Sequence, residues 1–102
     1  MELVQIVLPV YDSAGGRHPR EKFNRTLAEL TERFGGVTAF TRAPAEGLWE
    51  DDSGRVVQDD VIVVEVMAEE SSDDWWDDYR RRRESRFAQE TILIRAIPCR
   101  VL

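Results

Sequence analysis

The chain has 102 residues, 42% of them apolar and 33% charged, with a formal charge of −6. That describes one domain, 1–102, long enough to bury well over half of the surface its unfolded form exposes and too apolar for extended disorder. The acidic balance repels polyanions and so excludes a nucleic-acid partner unless basic residues gather on one face, while the single cysteine, Cys99, excludes an intrachain disulfide and the disulfide-stapled secreted class.

The opening "MELVQIVLPVY" has an acid at position 2 and no basic region ahead of its apolar run, so it reads as a strand over residues 3–10 rather than a secretory signal. A cytoplasmic location is expected. The loop "YDSAGGRH" follows, and Pro19 suits the first position of a helix. Phe23, Leu27, Leu30 and Phe34 then recur at steps of 4, 3 and 4, one apolar helical stripe, which Gly35 and Gly36 end.

A second strand runs over residues 37–42, breaks at "APAEG" and resumes as "LWE" before the turn "DDSG". With "RVVQDDVIVVEVMA" it makes a long hairpin bent near Pro44 and Asp59-Asp60. The apolar run "VIVVEVMA" is too short and too charged to cross a bilayer, which takes about 20 helical residues, so no membrane partner is expected. Ser71 opens the second helix, with Asp74 in capping-box spacing. "TILIRAI" is the last clear strand, and beyond Pro98 the tail "CRVL" offers a short edge strand. The order strand, helix, strand, strand, helix, strand predicts an α+β, ferredoxin-like βαββαβ sandwich: an antiparallel sheet with both helices on one face.

The stretch "SSDDWWDDYRRRRESRF" resembles a phosphate-gripping arginine cluster only in composition. Asp73, Asp74, Asp77 and Asp78 fill the first turns and Arg80 to Arg83 the later ones, as the helix macrodipole favours. Asp77 with Arg81 and Asp78 with Arg82 are acid-before-base pairs one turn apart. Trp76, Tyr79, Arg83 and Phe87 form the apolar stripe, Arg83 burying its stem and sending its charge outward.

Other chemistry-bearing residues have bland readings. His18 has no partner at catalytic or metal-binding spacing and reads as a loop histidine at a helix start. The "SAGGR" loop lacks the endings of a phosphate or dinucleotide loop and reads as a flexible turn. Cys99 reads as a buried or tail thiol, and Asp51, Asp52, Asp59 and Asp60 as turn chemistry rather than a calcium loop. Neither a metal nor a cofactor is expected.

Strand parity gives the more specific expectation. In the split pattern the first and third strands are central, the fourth beside the first and the second beside the third. Val4, Ile6, Leu8, Ile62, Val64, Val66, Ile92, Ile94 and Ala96 then share the helix-covered face. Gln5, Val7, Val61, Val63, Glu65, Met67, Leu93, Arg95 and Ile97 share the other. That second face is too apolar for water, yet it places Gln5, Glu65 and Arg95 on three neighbouring strands. A second copy of the chain covers it most simply, as a homodimer of the dimeric α+β barrel type. Glu65 and Arg95 then either pair within the interface or hold an anionic or carbonyl ligand between the sheets.

At "FGGVT" (34–38), "GLW" (47–49), Gly54 and "RFAQE" (86–90) the chain resembles a family of small bacterial domains of unknown function. Its members pair a helix-ending F-x-G-x-T with a G-x-W hairpin and close with a helix-to-strand R-F-x-Q-E. The resemblance implies a ferredoxin-like fold and singles out Trp49, Phe87, Gln89 and Glu90. Trp49 reads as a packing residue of the hairpin, and Gln89 and Glu90 as hydrogen-bonding the backbone at the helix-to-strand junction. Two functions stay open. One is a homo-oligomeric module that binds a protein or small molecule through its sheet face or the Trp49 hairpin. The other is a cofactorless enzyme, monooxygenase- or cyclase-like, using Gln5, Glu65, Arg95 and His18 in a cavity between sheets.

Overall fold

The computed structural model describes residues 1–69 and 72–102, with the side chains at 42–44 and 58 outside the description. The elements are β1 (Glu2–Pro9), α1 (Arg20–Phe34), β2 (Thr38–Glu50), β3 (Val56–Ala68), α2 (Asp73–Arg86) and β4 (Ile94–Pro98). They form a small α+β domain with two helices on a curled, four-stranded antiparallel sheet of order β2-β3-β1-β4. The register sets Val4 against Val66, Ile6 against Val64 and Leu8 against Ile62. Because side chains alternate along a strand, these six fall on one face, and all are buried. Phe23 and Leu30 of α1, Trp76 and Tyr79 of α2, and Phe87 join them in a single core. Both helices therefore lie on that face, each fully buried aliphatic or aromatic side chain contributing about 1.5–3 kcal/mol.

The helix ends follow local chemistry, with two shifts from expectation. Pro19 is the residue before α1 rather than its first, and it supplies no side-chain cap. Gly35 ends α1 as expected, in the left-handed region at φ 81°, donating its N–H to the Thr31 carbonyl at 2.8 Å. The expected start of α2 at Ser71 lies outside the described residues; the observed cap is Ser72, whose Oγ accepts from the Trp75 N–H at 3.0 Å. At the other end Ala88 takes a positive φ of 50°, and the Gln89 N–H reaches back to the Glu84 carbonyl at 2.9 Å.

On the surface of α2, Asp77 pairs with Arg81 at 2.9 Å and Asp78 with Arg82 at 3.0 Å, the expected rungs. Arg83 departs from expectation. Its charge does not point outward but lies buried against Glu29 of α1 at 2.5 Å, with the guanidinium 4.4 Å from the Tyr79 ring centre. Packing α2 beside α1 brings an acid to that spot, and a paired charge there costs less than one left unpaired.

β2 runs continuously from Thr38 to Glu50 instead of breaking at "APAEG", but its register with β3 shifts between Phe40 and Ala45, at the expected bend. β3 pairs with β1 only as far as Val61 opposite Pro9, whereas β2 follows it out to Glu50 opposite Val56. The outer hairpin thus leaves the sheet as a two-stranded ribbon. Its turn is held by Asp51, whose carboxylate accepts from the Ser53 N–H at 2.9 Å and the Arg55 N–H at 3.0 Å. At the other edge β4 is shorter than expected, beginning at Ile94 while Leu93 accepts from the Val7 N–H at 3.0 Å. Residues 99–102 do not extend the sheet as a strand, although the Cys99 N–H reaches the Met1 carbonyl at 3.2 Å.

Candidate functional site

The face of the sheet away from the helices carries a short polar row across three strands. Gln5 of β1 stands opposite Glu65 of β3 and opposite Arg95 of β4 in the two registers. Its amide nitrogen donates to Glu65 Oε2 at 2.8 Å, and its amide oxygen accepts from Arg95 Nε at 2.6 Å. Gln5 is thereby oriented by both neighbours, since an amide has one donor end and one acceptor end. Glu65 and Arg95 meet through it; among the described residues they form no direct ion pair with each other, and Arg95 joins no ion pair at all. Side by side, the row reads acid, amide, base.

Around this row the face is apolar and open. Phe40, Met67, Leu93 and Ile97 are 50%, 37%, 51% and 43% exposed, and Val7 and Val63 are half-buried. Two residues depart from strict parity. Val61 is buried between Pro9 and Ala45 at the register shift, and Ala96 is exposed because the helices do not cover the end of edge strand β4.

Beyond the sheet, the ribbon bears Leu48 and Val56 on one side and Trp49 and Val57 on the other, all exposed. Trp49 lies over Gly47: a Cβ added to that glycine would meet the indole ring at 2.2 Å, which explains the spacing of the G-x-W pair. Sequence reasoning singled out the Trp49 hairpin but missed that Leu48, Val56 and Val57 make it an apolar ribbon beyond the sheet. Its signal was the facing pairs "LW" and "VV" on either side of the turn.

At the junction after α2, Gln89 is half-buried and Glu90 exposed. The side chain that ties this junction is Glu84, whose Oε2 accepts from the Ile92 N–H at 2.9 Å; among the described residues neither Gln89 nor Glu90 makes a side-chain hydrogen bond. Between the helices, Glu29 gathers Arg25, Arg83 and Arg86, and Arg86 also donates to Thr26 Oγ1 at 3.1 Å. Burial pushes the Glu29 carboxyl up, but hydrogen bonds from Arg86 and Arg83 and their charges outweigh it and hold the pKa at about 2. Tyr79 beside them is pushed up to about 12 by burial.

His18 is not a surface loop residue. It is 3% exposed, edge-on to Phe87 at 5.2 Å, with Nδ1 3.5 Å from Lys22 Nζ and Nε2 buried with no hydrogen-bond partner among the described residues. Burial, then the Lys22 charge, lowers its pKa, so the neutral ring is favoured. It lies on the helix-covered side, away from the polar row. The loop before it is pinned rather than loose, with Asp12 Oδ1 accepting from the Ala14 and Gly16 N–H groups at 2.9 and 2.8 Å. Cys99 is a half-buried free thiol. Among the described residues no cluster of three or more His, Cys, Asp or Glu has metal-binding geometry, and no helix is long and apolar enough to cross a membrane. A cleft of about 510 Å³ is lined by Met1, Arg33, Phe34, Met67 and Trp75 among others, and Gln5, Glu65 and Arg95 do not line it.

Fold and surface together define a small α+β domain whose helices cover one side of the sheet and leave an apolar side with a polar centre bare. Among solved structures the chain is similar to a phage SAM lyase in complex with S-methyl-5'-thioadenosine, at TM-score 0.66 and 13% identity over 94% of this chain and 79% of that one. It is also similar to the divalent cation tolerance protein Cut A1 from Thermus thermophilus, at TM-score 0.63 and 18% identity over 97% and 84%. CutA1 from Pyrococcus horikoshii matches at TM-score 0.61 and 10% identity over 100% and 86%. At these identities the likeness is one of fold. No family model and no curated protein matches the chain.

Proposed function

We propose that this protein is a ferredoxin-like, homo-oligomeric binding module of the cytoplasm that works through its open sheet face, with Gln5, Glu65 and Arg95 as the polar centre of that surface. The observation that carries the reading is the exposure of Phe40, Met67, Leu93 and Ile97 on one contiguous face around the polar row. Apolar surface of this kind marks an interaction site, and a self-complementary face is most economically covered by a second copy. The exposed Trp49 ribbon enlarges the apolar surface available to a partner. The charge of −6 and the pairing of Arg80, Arg81 and Arg82 with acids on their own helix argue against nucleic acid. The half-buried single thiol Cys99 suits a reducing compartment.

Sedimentation equilibrium tests the proposal. The wild-type chain is expected at dimer mass or above, and Ile97→Asp, which puts a charge into the exposed apolar surface, at monomer mass with an unchanged far-UV spectrum. A wild-type chain that stays monomeric at millimolar concentration ends the reading. The alternative, a cofactorless enzyme with its cavity between two sheets, needs the same assembly first; native mass spectrometry of the wild-type oligomer distinguishes it by a bound small molecule.

A further inference from the structure

The charge order of the polar row specifies how two copies meet, an inference that rests on the homo-oligomer reading above. Glu65, Gln5 and Arg95 stand in line across β3, β1 and β4. Neighbouring strands are about 4.8 Å apart, which puts the acid and the base roughly 10 Å from each other with the amide midway. Two identical sheets packed face to face are related by a two-fold axis lying in the interface, and aligned sheet packing leaves that axis either along the strands or across them.

An axis across the strands, passing over the row, sets Glu65 against Glu65 and Arg95 against Arg95. Like charges would then share an interface dried by Leu3, Val7, Val63, Met67, Leu93 and Ile97, at a heavy desolvation cost with no attraction to offset it. An axis along β1, passing over Gln5, reverses the row. Each Arg95 then faces Glu65 of the second copy, and the two Gln5 residues meet at the centre.

Internal hydrogen bonding leaves the row ready for this exchange. Arg95 uses Nε on Gln5 and Glu65 uses Oε2, so the two Nη groups of Arg95 and Oε1 of Glu65 carry no hydrogen bond among the described residues. We propose that the protein dimerises face to face about an axis parallel to β1, with two symmetric ion pairs between Arg95 of one copy and Glu65 of the other. The apolar surface supplies the area, and the row supplies the register and the relative strand direction.

The test is a charge-reversal mixing experiment by analytical ultracentrifugation. Glu65→Arg carries two bases in the row and Arg95→Glu two acids, so each alone is expected to run as a monomer, and an equimolar mixture is expected to recover the dimer mass. Singles that remain dimeric, or a mixture that remains monomeric beside a dimeric wild type, overturn the pairing while leaving the dimer itself intact. A monomeric wild type overturns both. Mixing would succeed about the transverse axis as well, so Glu65→Gln and Arg95→Gln, which also stand in if a reversal impairs folding by circular dichroism, decide the axis: each is expected to weaken the dimer at least tenfold and the double variant little further, whereas a single that tightens the dimer, or independent losses that multiply, refutes the pair.

Discussion

Glu29 is the residue on which the helix layer turns. Its carboxylate takes Arg83 at 2.5 Å and Arg86 at 2.8 Å from α2, and Arg25 at 3.2 Å from its own helix. Arg83 is 5% exposed, so removing the acid strands a charge out of water. Breaking a fully buried pair costs about 3–5 kcal/mol, and since the Glu29 side chain is 36% exposed, Glu29→Gln is expected to cost less, about 2 kcal/mol at neutral pH by urea denaturation. The pH dependence has a definite sign. The carboxyl falls from 4.5 to about 2 on folding, so its contribution is full above pH 4.5 and lost as pH falls through about 2. The stability difference between wild type and Glu29→Gln should therefore shrink across that window. A difference independent of pH would show that the charge plays no part.

Of the two helices, α2 is the more densely charged, and side chains hold both of its ends. Ser72 caps it through the Trp75 N–H, and Glu84 ties its exit to β4 by accepting from the Ile92 N–H. Losing a serine cap costs typically about 1 kcal/mol, so Ser72→Ala should lower the unfolding free energy from urea denaturation by that amount without altering the helix content of the folded state, as read by far-UV circular dichroism. An unchanged midpoint would mean that tertiary packing alone fixes where α2 begins. The charge order of the helix, acids first and bases later, was legible because the macrodipole acts within one element. The destination of Arg83 was not. Its partner lies 54 positions away, and only the packing of α2 on α1 brings the two together.

For the whole molecule, the division into a covered and a bare sheet face is the organising fact. If copies assemble through the bare face, folding is linked to association, and the melting temperature must rise with protein concentration. Differential scanning calorimetry over a hundredfold concentration range should show that rise for the wild type and a flat response for Ile97→Asp. A flat wild-type response would count against assembly.

Local pattern determined the element order, the helical stripe of Phe23, Leu27, Leu30 and Phe34 and the two faces of the sheet, and the strand order of a split βαβ pattern then set Gln5, Glu65 and Arg95 on one surface. A strand repeats every two residues and a helix every 3.6, so local spacing already assigns a side chain to its face. Tertiary structure alone decided that His18 is buried against Phe87, that Glu84 rather than Gln89 or Glu90 ties the junction, and that the Trp49 hairpin runs beyond the sheet. Each of these depends on which distant segments lie side by side and on where pairing stops, and no local period carries that information.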